Sequence, residues 1–209
     1  MRNMIYILLL LVAMFRLPVF AQSPDAEALL DKVVAGIKTD APVRMDYIYN
    51  VYDDGKLLQG DKGVIYIDGN RYALLMQDMK VWCDGATQWS YMREVDEIYV
   101  TEASSDEAQN LSPLHVMENY REGYNASLVT GEAEWVVKLQ AADEDADVKT
   151  VGLFIAKDNY RLVRMLIYMS GQGYIDVKLG GYDAKCSVTS DAFECPLDEF
   201  SGIEVIDMR

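Results

Sequence analysis

Apolar residues recur along this chain with two periods. From Ala26 to Ile37 they return at every third or fourth position (Ala26, Leu29, Leu30, Val33, Val34, Ile37), which is one stripe of an amphipathic helix. Ser23 can cap that helix and Pro24 suits its first turn. Asp25 and Glu27 stand where the helix dipole favours anions, and the pattern stops before Pro42. Beyond it the dominant period is two. Strands are predicted near 43–53, 57–67, 71–77, 80–83, 87–93, 95–101, 124–129, 134–140, 149–156, 161–169, 174–182, 185–189 and 192–196. Between them stand turn signals such as Asp54-Gly55, Asp68-Gly69, Asp84-Gly85 and Gly171-Gln172-Gly173. Successive hairpins make an antiparallel meander.

The alternation assigns faces. Met45, Tyr47, Tyr49 and Val51 share one side of their strand, and Tyr72, Leu74 and Met76 share one of theirs. Trp89 and Tyr91 oppose Gln88 and Ser90, and Trp135, Val137 and Leu139 oppose Glu134 and Lys138. Ile175, Val177 and Leu179 oppose Asp176 and Lys178. One apolar and one polar face mark a sheet with one side in water. A second, short central helix is expected from Leu111 to Gly123, carrying Leu114, Val116, Met117 and Tyr120. Two short helices cannot cover so broad an apolar face. Two arrangements fit: a sheet curled around the helices with an apolar concavity, or a barrel or sandwich filled by its own side chains.

Composition narrows the function. Of 209 residues, 51% are apolar, yet Asp plus Glu number 34 against 19 Lys plus Arg, a net charge of −15. Such an apolar chain folds despite its charge. Such an acidic one lacks the cations that nucleic-acid backbones require. Residues 1–21 read as a secretory signal peptide: Arg2, an apolar run from Ile5 to Phe15, and a small-residue exit at Ala21. Cleavage after Ala21 removes Arg2 and Arg16 and takes the charge from −15 to −17. It leaves a single domain over 22–209. A retained N-terminal anchor is the alternative.

Chemistry is sparse. His115 is the single histidine, which argues against acid–base catalysis and histidine-rich metal sites, so no enzyme activity, metal or cofactor is expected. The acidic run Asp143–Asp147 starts like a calcium loop but has Val148 where glycine is needed, and reads as a hairpin tip. A hairpin turning at Ser190-Asp191 sets Cys186 opposite Cys195, at a spacing a disulfide can bridge. Two reduced cysteines on a core face are the alternative.

The run Asp84-Gly85-Ala86-Thr87-Gln88-Trp89-Ser90-Tyr91 follows Gly63, Ile65 and Ile67 and the Arg71-Tyr72 strand. It resembles the periplasmic outer-membrane lipoprotein carrier family, LolA. The end of the chain, Phe200-Ser201-Gly202-Ile203-Glu204-Val205-Ile206-Asp207-Met208-Arg209, looks like that family's terminus. Ser112-Pro113 through Tyr124 resembles its central helix.

The resemblance implies a mainly β (α+β) fold: an incomplete antiparallel barrel whose N-terminal and central helices cover an apolar concavity. It implies a periplasmic carrier, exported across the inner membrane of a Gram-negative bacterium. Such a carrier takes the acyl chains of lipoproteins from an inner-membrane release complex to an outer-membrane acceptor, as a monomer. The alternative on the same fold is a binder of another lipid, or a sensor of mislocalised lipoproteins. The lining expected for the acyl chains is Met45, Tyr47, Tyr49, Val51, Tyr72, Leu74, Met76, Trp89, Tyr91, Met117, Trp135 and Val137. The family's gating arginine after the second strand is missing. Asp68-Gly69-Asn70 stands there, and Arg71 is the nearest.

Overall fold

The computed structural model describes residues 24–105, 117, 118 and 120–209. The expected signal peptide, His115 and most of the expected central helix lie outside them. Within them, the helical stripe forms α1 (Pro24–Asp40). Twelve strands follow: β1 (Val43–Asp53), β2 (Lys56–Asp68), β3 (Arg71–Met76), β4 (Met79–Cys83), β5 (Thr87–Met92), β6 (Glu97–Glu102), β7 (Tyr124–Thr130), β8 (Glu134–Ala141), β9 (Val148–Ala156), β10 (Leu162–Met169), β11 (Tyr174–Ala184) and β12 (Glu204–Asp207). The described part of the expected central helix is Met117-Glu118 and a 3-10 turn over Tyr120–Glu122.

All strands join one sheet in the order β12-β6-β5-β4-β3-β2-β1-β11-β10-β9-β8-β7, and the sheet does not close. β1 is therefore the hinge of two meanders. β2 to β6 run outward on one side, and β7 to β11 return to its other side. The Asp-Gly signals do their expected work: Asp54 and Gly55 both take positive φ (45° and 71°) between β1 and β2. Gly63 has a different reason. A Cβ there would lie 1.9 Å from the Leu75 carbonyl oxygen, so β2 and β3 approach too closely for any side chain.

Register fixes which residues share a side. Tyr47 pairs with Leu179, Tyr49 with Val177, and Val51 with Ile175. Met165 continues that row to Leu153, and Leu153 to Val137. On the other side Met45 faces Ile65, and Ile65 faces Leu74. This inner face and the stripe of α1 form one buried cluster with Ala26, Leu30, Val33 and Ile37 at its helical side.

The C-terminal stretch departs from the expected pattern. The predicted strands 185–189 and 192–196 do not form, and the Ser190-Asp191 signal opens a 3-10 turn over Ser190–Phe193. Lys185 takes positive φ (55°) and ends β11, and Phe193 then inserts against the sheet's outer face with 1% exposure. Burial of that ring outweighs a hairpin with no third strand beside it. Without the hairpin, the Cys186–Cys195 bridge loses its basis, and Cys83, Cys186 and Cys195 are all free. The acid-flanked segment Glu204–Asp207, not anticipated as a strand, pairs in parallel with β6.

Candidate functional site

A cavity of about 390 Å³ lies between the second half of α1 and the inner face. Its floor is apolar and drawn from four strands: Met45 of β1, Ile67 of β2, Leu162 of β10 and Leu179 of β11. Val33 and Ile37 of α1 and Met117 form its other walls. Gly36 also faces it, and open space lies where a Cβ would sit.

The mouth is polar. Lys32 Nζ sits 3.2 Å above the Tyr160 ring, and the Arg161 guanidinium 3.8 Å above that of Tyr182. The Tyr182 hydroxyl donates to Asp40 Oδ2 at 3.0 Å, and burial together with that carboxylate pushes the phenol's pKa up. The C-terminal end of α1 is anchored beside the mouth. Lys185 N donates to the Asp40 carbonyl and Cys186 N to that of Pro42. Elsewhere the described ties of α1 include surface ion pairs: Lys38 with Glu118, and Arg121 with Glu27 and Asp31.

The residues expected to line an acyl site divide. Met45 and Met117 line the cavity. Tyr47, Tyr72, Leu74, Met76 and Val137 are on the inner face but closed into its core, with Tyr49 and Trp135 packed half-buried against them. Val51 lies in the same row at intermediate exposure. A second recess of about 680 Å³ opens at the far end of this face, lined by Tyr49, Met76, Met79, Met92 and Tyr99 with Asp61, Asp78 and Glu94 among its polar residues.

Trp89 and Tyr91 are not on the inner face. They belong to a separate outer cluster with Ala73, Trp82, Phe193 and Phe200. Phe200 meets Trp82 edge-on at 5.7 Å and Tyr91 at 4.8 Å between centroids. The inner positions of β5 are Gln88 and Ser90, buried at 2% and 7%. The Tyr72 hydroxyl donates to Gln88 Oε1, and Gln88 Nε2 donates to Ser90 Oγ at 3.2 Å, so the buried amide is satisfied. Arg71 also points outward, paired with Asp68 and stacked 4.8 Å from the Phe193 ring. It braces the C-terminal segment rather than the helix.

Sequence reasoning missed the mouth: Lys32, Tyr160, Arg161 and Tyr182. Tyr160 and Arg161 follow the turn signal Asp158-Asn159, and Tyr160 takes positive φ (59°), so periodicity carries no information there. Leu179 was legible as an apolar-face residue, and Ile67 and Leu162 lie in runs apolar on both sides.

The family model described as "Outer membrane lipoprotein carrier protein LolA" matches residues 17–171. No curated protein sequence matches the chain. Among solved structures, an uncharacterized conserved protein from Thermus thermophilus superposes with a TM-score of 0.55 at 11% identity, over 88% of this chain and 99% of that one. A LolA superfamily protein from Nitrosomonas europaea gives 0.45 at 11% identity, over 82% and 98%. A putative outer membrane lipoprotein-sorting protein domain from Vibrio parahaemolyticus gives 0.46 at 8%, over 84% and 98%.

Proposed function

Because the chain belongs to the outer membrane lipoprotein carrier protein LolA family, we propose that it binds acyl chains between α1 and the inner face of the sheet. It would do so as a non-enzymatic carrier outside the cytoplasm, in the periplasm. The observation that carries this is the cavity under α1. Apolar side chains from four strands and a helix surround a space that the described residues leave unfilled. Each CH₂ moved from water into such a space contributes about 0.8 kcal/mol, enough to hold an acyl chain without covalent chemistry.

A carrier must also release. The described contacts of α1 combine a buried apolar stripe, whose burial an incoming acyl chain can replace, with a hydrogen-bonded C-terminal anchor and exposed ion pairs toward Glu118 and Arg121. Exposed pairs contribute little each and weaken in salt. The helix is thus the element that can lift while the hydrogen-bonded sheet stays intact. The donor would be an inner-membrane release complex and the recipient an outer-membrane acceptor. The mature charge of −17, expected after cleavage at Ala21, would keep the carrier off anionic membrane surfaces between them.

A second reading, a carrier of a free lipid, is favoured by the size of the cavity. About 390 Å³ is near the lower end of small-molecule pockets, which span roughly 300–1,000 Å³. Native mass spectrometry of the protein purified from its own compartment separates the two. A co-bound lipidated protein supports lipoprotein carriage, and a free lipid supports the second reading. No bound lipid, with no binding of an acylated peptide in vitro, overturns both.

A further inference from the structure

We infer that the ligand of the cavity is an amphiphile with an anionic head group, a carboxylate or phosphate, read by Arg161 and Lys32 at the mouth. The inference rests on the acyl-chain reading above and adds to it the chemistry of the head. Seven arginines fall among the described residues, and six of them pair with an acid: Arg44, Arg71, Arg93, Arg121, Arg164 and Arg209. Arg161 is the exception among the described residues. In a chain with almost two acids for every base, the guanidinium without an acidic partner among the described residues stands at the mouth of the apolar cavity.

Its setting suits an anion. The Tyr182 ring holds the guanidinium face at 3.8 Å, and a guanidinium stacked by its face donates to an oxyanion from its edge N–H groups. Lys32 is held over Tyr160 in the same way and has no acidic partner among the described residues. The described lining contains one acid, Asp40, and its carboxylate already accepts the Tyr182 hydroxyl. Among the described residues the mouth therefore carries two cations against one engaged anion, on a strongly negative protein. A neutral head group would leave both cations unanswered. An anionic head above a chain in the apolar floor satisfies both ends of the site.

The test compares probes that share a hexadecyl-length chain: palmitate, a lysophospholipid with an anionic head, and neutral monopalmitoylglycerol. Inorganic phosphate is titrated alone as a fourth ligand. Binding is measured by displacement of a fluorescent fatty acid from the full mature protein, for wild type, Arg161→Gln and Lys32→Gln. The anionic amphiphiles should bind about tenfold tighter than the neutral one, with the preference shrinking in high salt. Arg161→Gln should abolish that preference, with an unliganded circular dichroism melt like that of wild type showing that the variant folds; a preference that survives in Arg161→Gln overturns the inference. Equal affinity for neutral and anionic probes in wild type overturns the inference and leaves the acyl site standing. Binding of none of the three chains removes the acyl site itself. Phosphate binding as tight as that of the amphiphiles overturns the inference in favour of a free anion site.

Discussion

Gly36 offers a way to separate binding from folding. It lies inside the 17-residue α1, one turn before the helix ends at Asp40, and faces the cavity with open space at its Cβ position. In a helix interior glycine is about 1 kcal/mol worse than alanine. Gly36→Ala therefore stabilises, and for a domain of this size about 1 kcal/mol raises Tm by about 2–4 °C. Gly36→Trp places a large ring where the acyl chain would lie. It retains most of the helix benefit, since tryptophan is also a better helix former than glycine, so Tm should not fall. Ligand linkage supplies the readout. A ligand at about 100 times its Kd stabilises the native state by about 2.7 kcal/mol, which is a Tm rise of about 5–10 °C. Thermal melts by circular dichroism with and without a saturating fatty acid should show that rise for wild type and Gly36→Ala, and its loss in Gly36→Trp. A full ligand-induced shift in Gly36→Trp, with its unliganded Tm preserved, would refute the placement of the site under α1.

Four further outcomes are expected. Phe193→Ala, which empties a ring that is 1% exposed on the outer face, should cost about 3–5 kcal/mol in urea unfolding, with acyl binding per folded molecule unchanged. Denaturing thiol counts should give three free thiols, because Cys83, Cys186 and Cys195 are unbridged; a count of one would restore the disulfide. Burial pushes the Cys195 thiol up to about 11 against the opposing pull of Lys80. Its thiolate is therefore disfavoured in the fold but free to form on unfolding, so this group's contribution is full below about pH 8.5 and is lost as pH rises toward 11. Chemical melts between about pH 8 and 11, compared with Cys195→Ser, measure it. Arg121→Ala breaks two exposed pairs to α1 and should cost under about 1 kcal/mol of stability. In stopped-flow loading it should speed acyl-chain uptake, and high salt should do the same to wild type.

The helix and eleven of the strands were legible, from clean periods in most and from turn signals flanking the runs of β2 and β10 that are apolar on both sides. Leu30, Val33 and Ile37 must face one way on a helix, and Met45 and Tyr47 one way on a strand. Period two states which residues share a face, but it does not state which face is inside. On β5 the aromatic pair Trp89 and Tyr91 drew the inner assignment, yet the inner pair is Gln88 and Ser90. The information that reverses the strand is tertiary. Tyr72 on β3 satisfies the Gln88 amide, and Phe193 and Phe200, about a hundred residues further along the chain, cover the aromatics. The same cause hid the C-terminal segment. Its turn signal is real, but the segment's partner is the outer surface of β3 and β4, which no local pattern can reveal. The cavity mouth was invisible for a simpler reason. Lys32, Arg161 and Tyr182 sit on three separate stretches of chain, and only the fold brings them together.

The two halves of the sheet differ in what their outer faces ask for. On β10 and β11 the outer face is mixed: Asp176, 5% exposed, is held bidentate by Arg164 at 2.8 and 3.0 Å, beside half-buried Leu166 and exposed Tyr168. That face is finished without a covering segment. On β3 to β5 the outer row is Ala73, Trp82 and Trp89, with Leu75 and Tyr91 beside them, and it needs apolar cover. The C-terminal segment supplies it, then ends by adding β12 to the β6 edge. That half is consequently packed on both sides and pinned at its edge. The cavity floor straddles the junction, with Ile67 on the braced half, Met45 on the central strand, and Leu179 and Leu162 on the other. A ligand bound there as proposed would press on a floor backed by a continuous ladder, so the space it gains would come from α1. The family's arginine gate would have tied the sheet to the covering helices, but here Arg71 is committed to Asp68 and Phe193 on the far side. In the proposed carrier, control of the opening would fall to the apolar stripe of α1, the ion pairs of Arg121 and Lys38 and the anchor at Asp40.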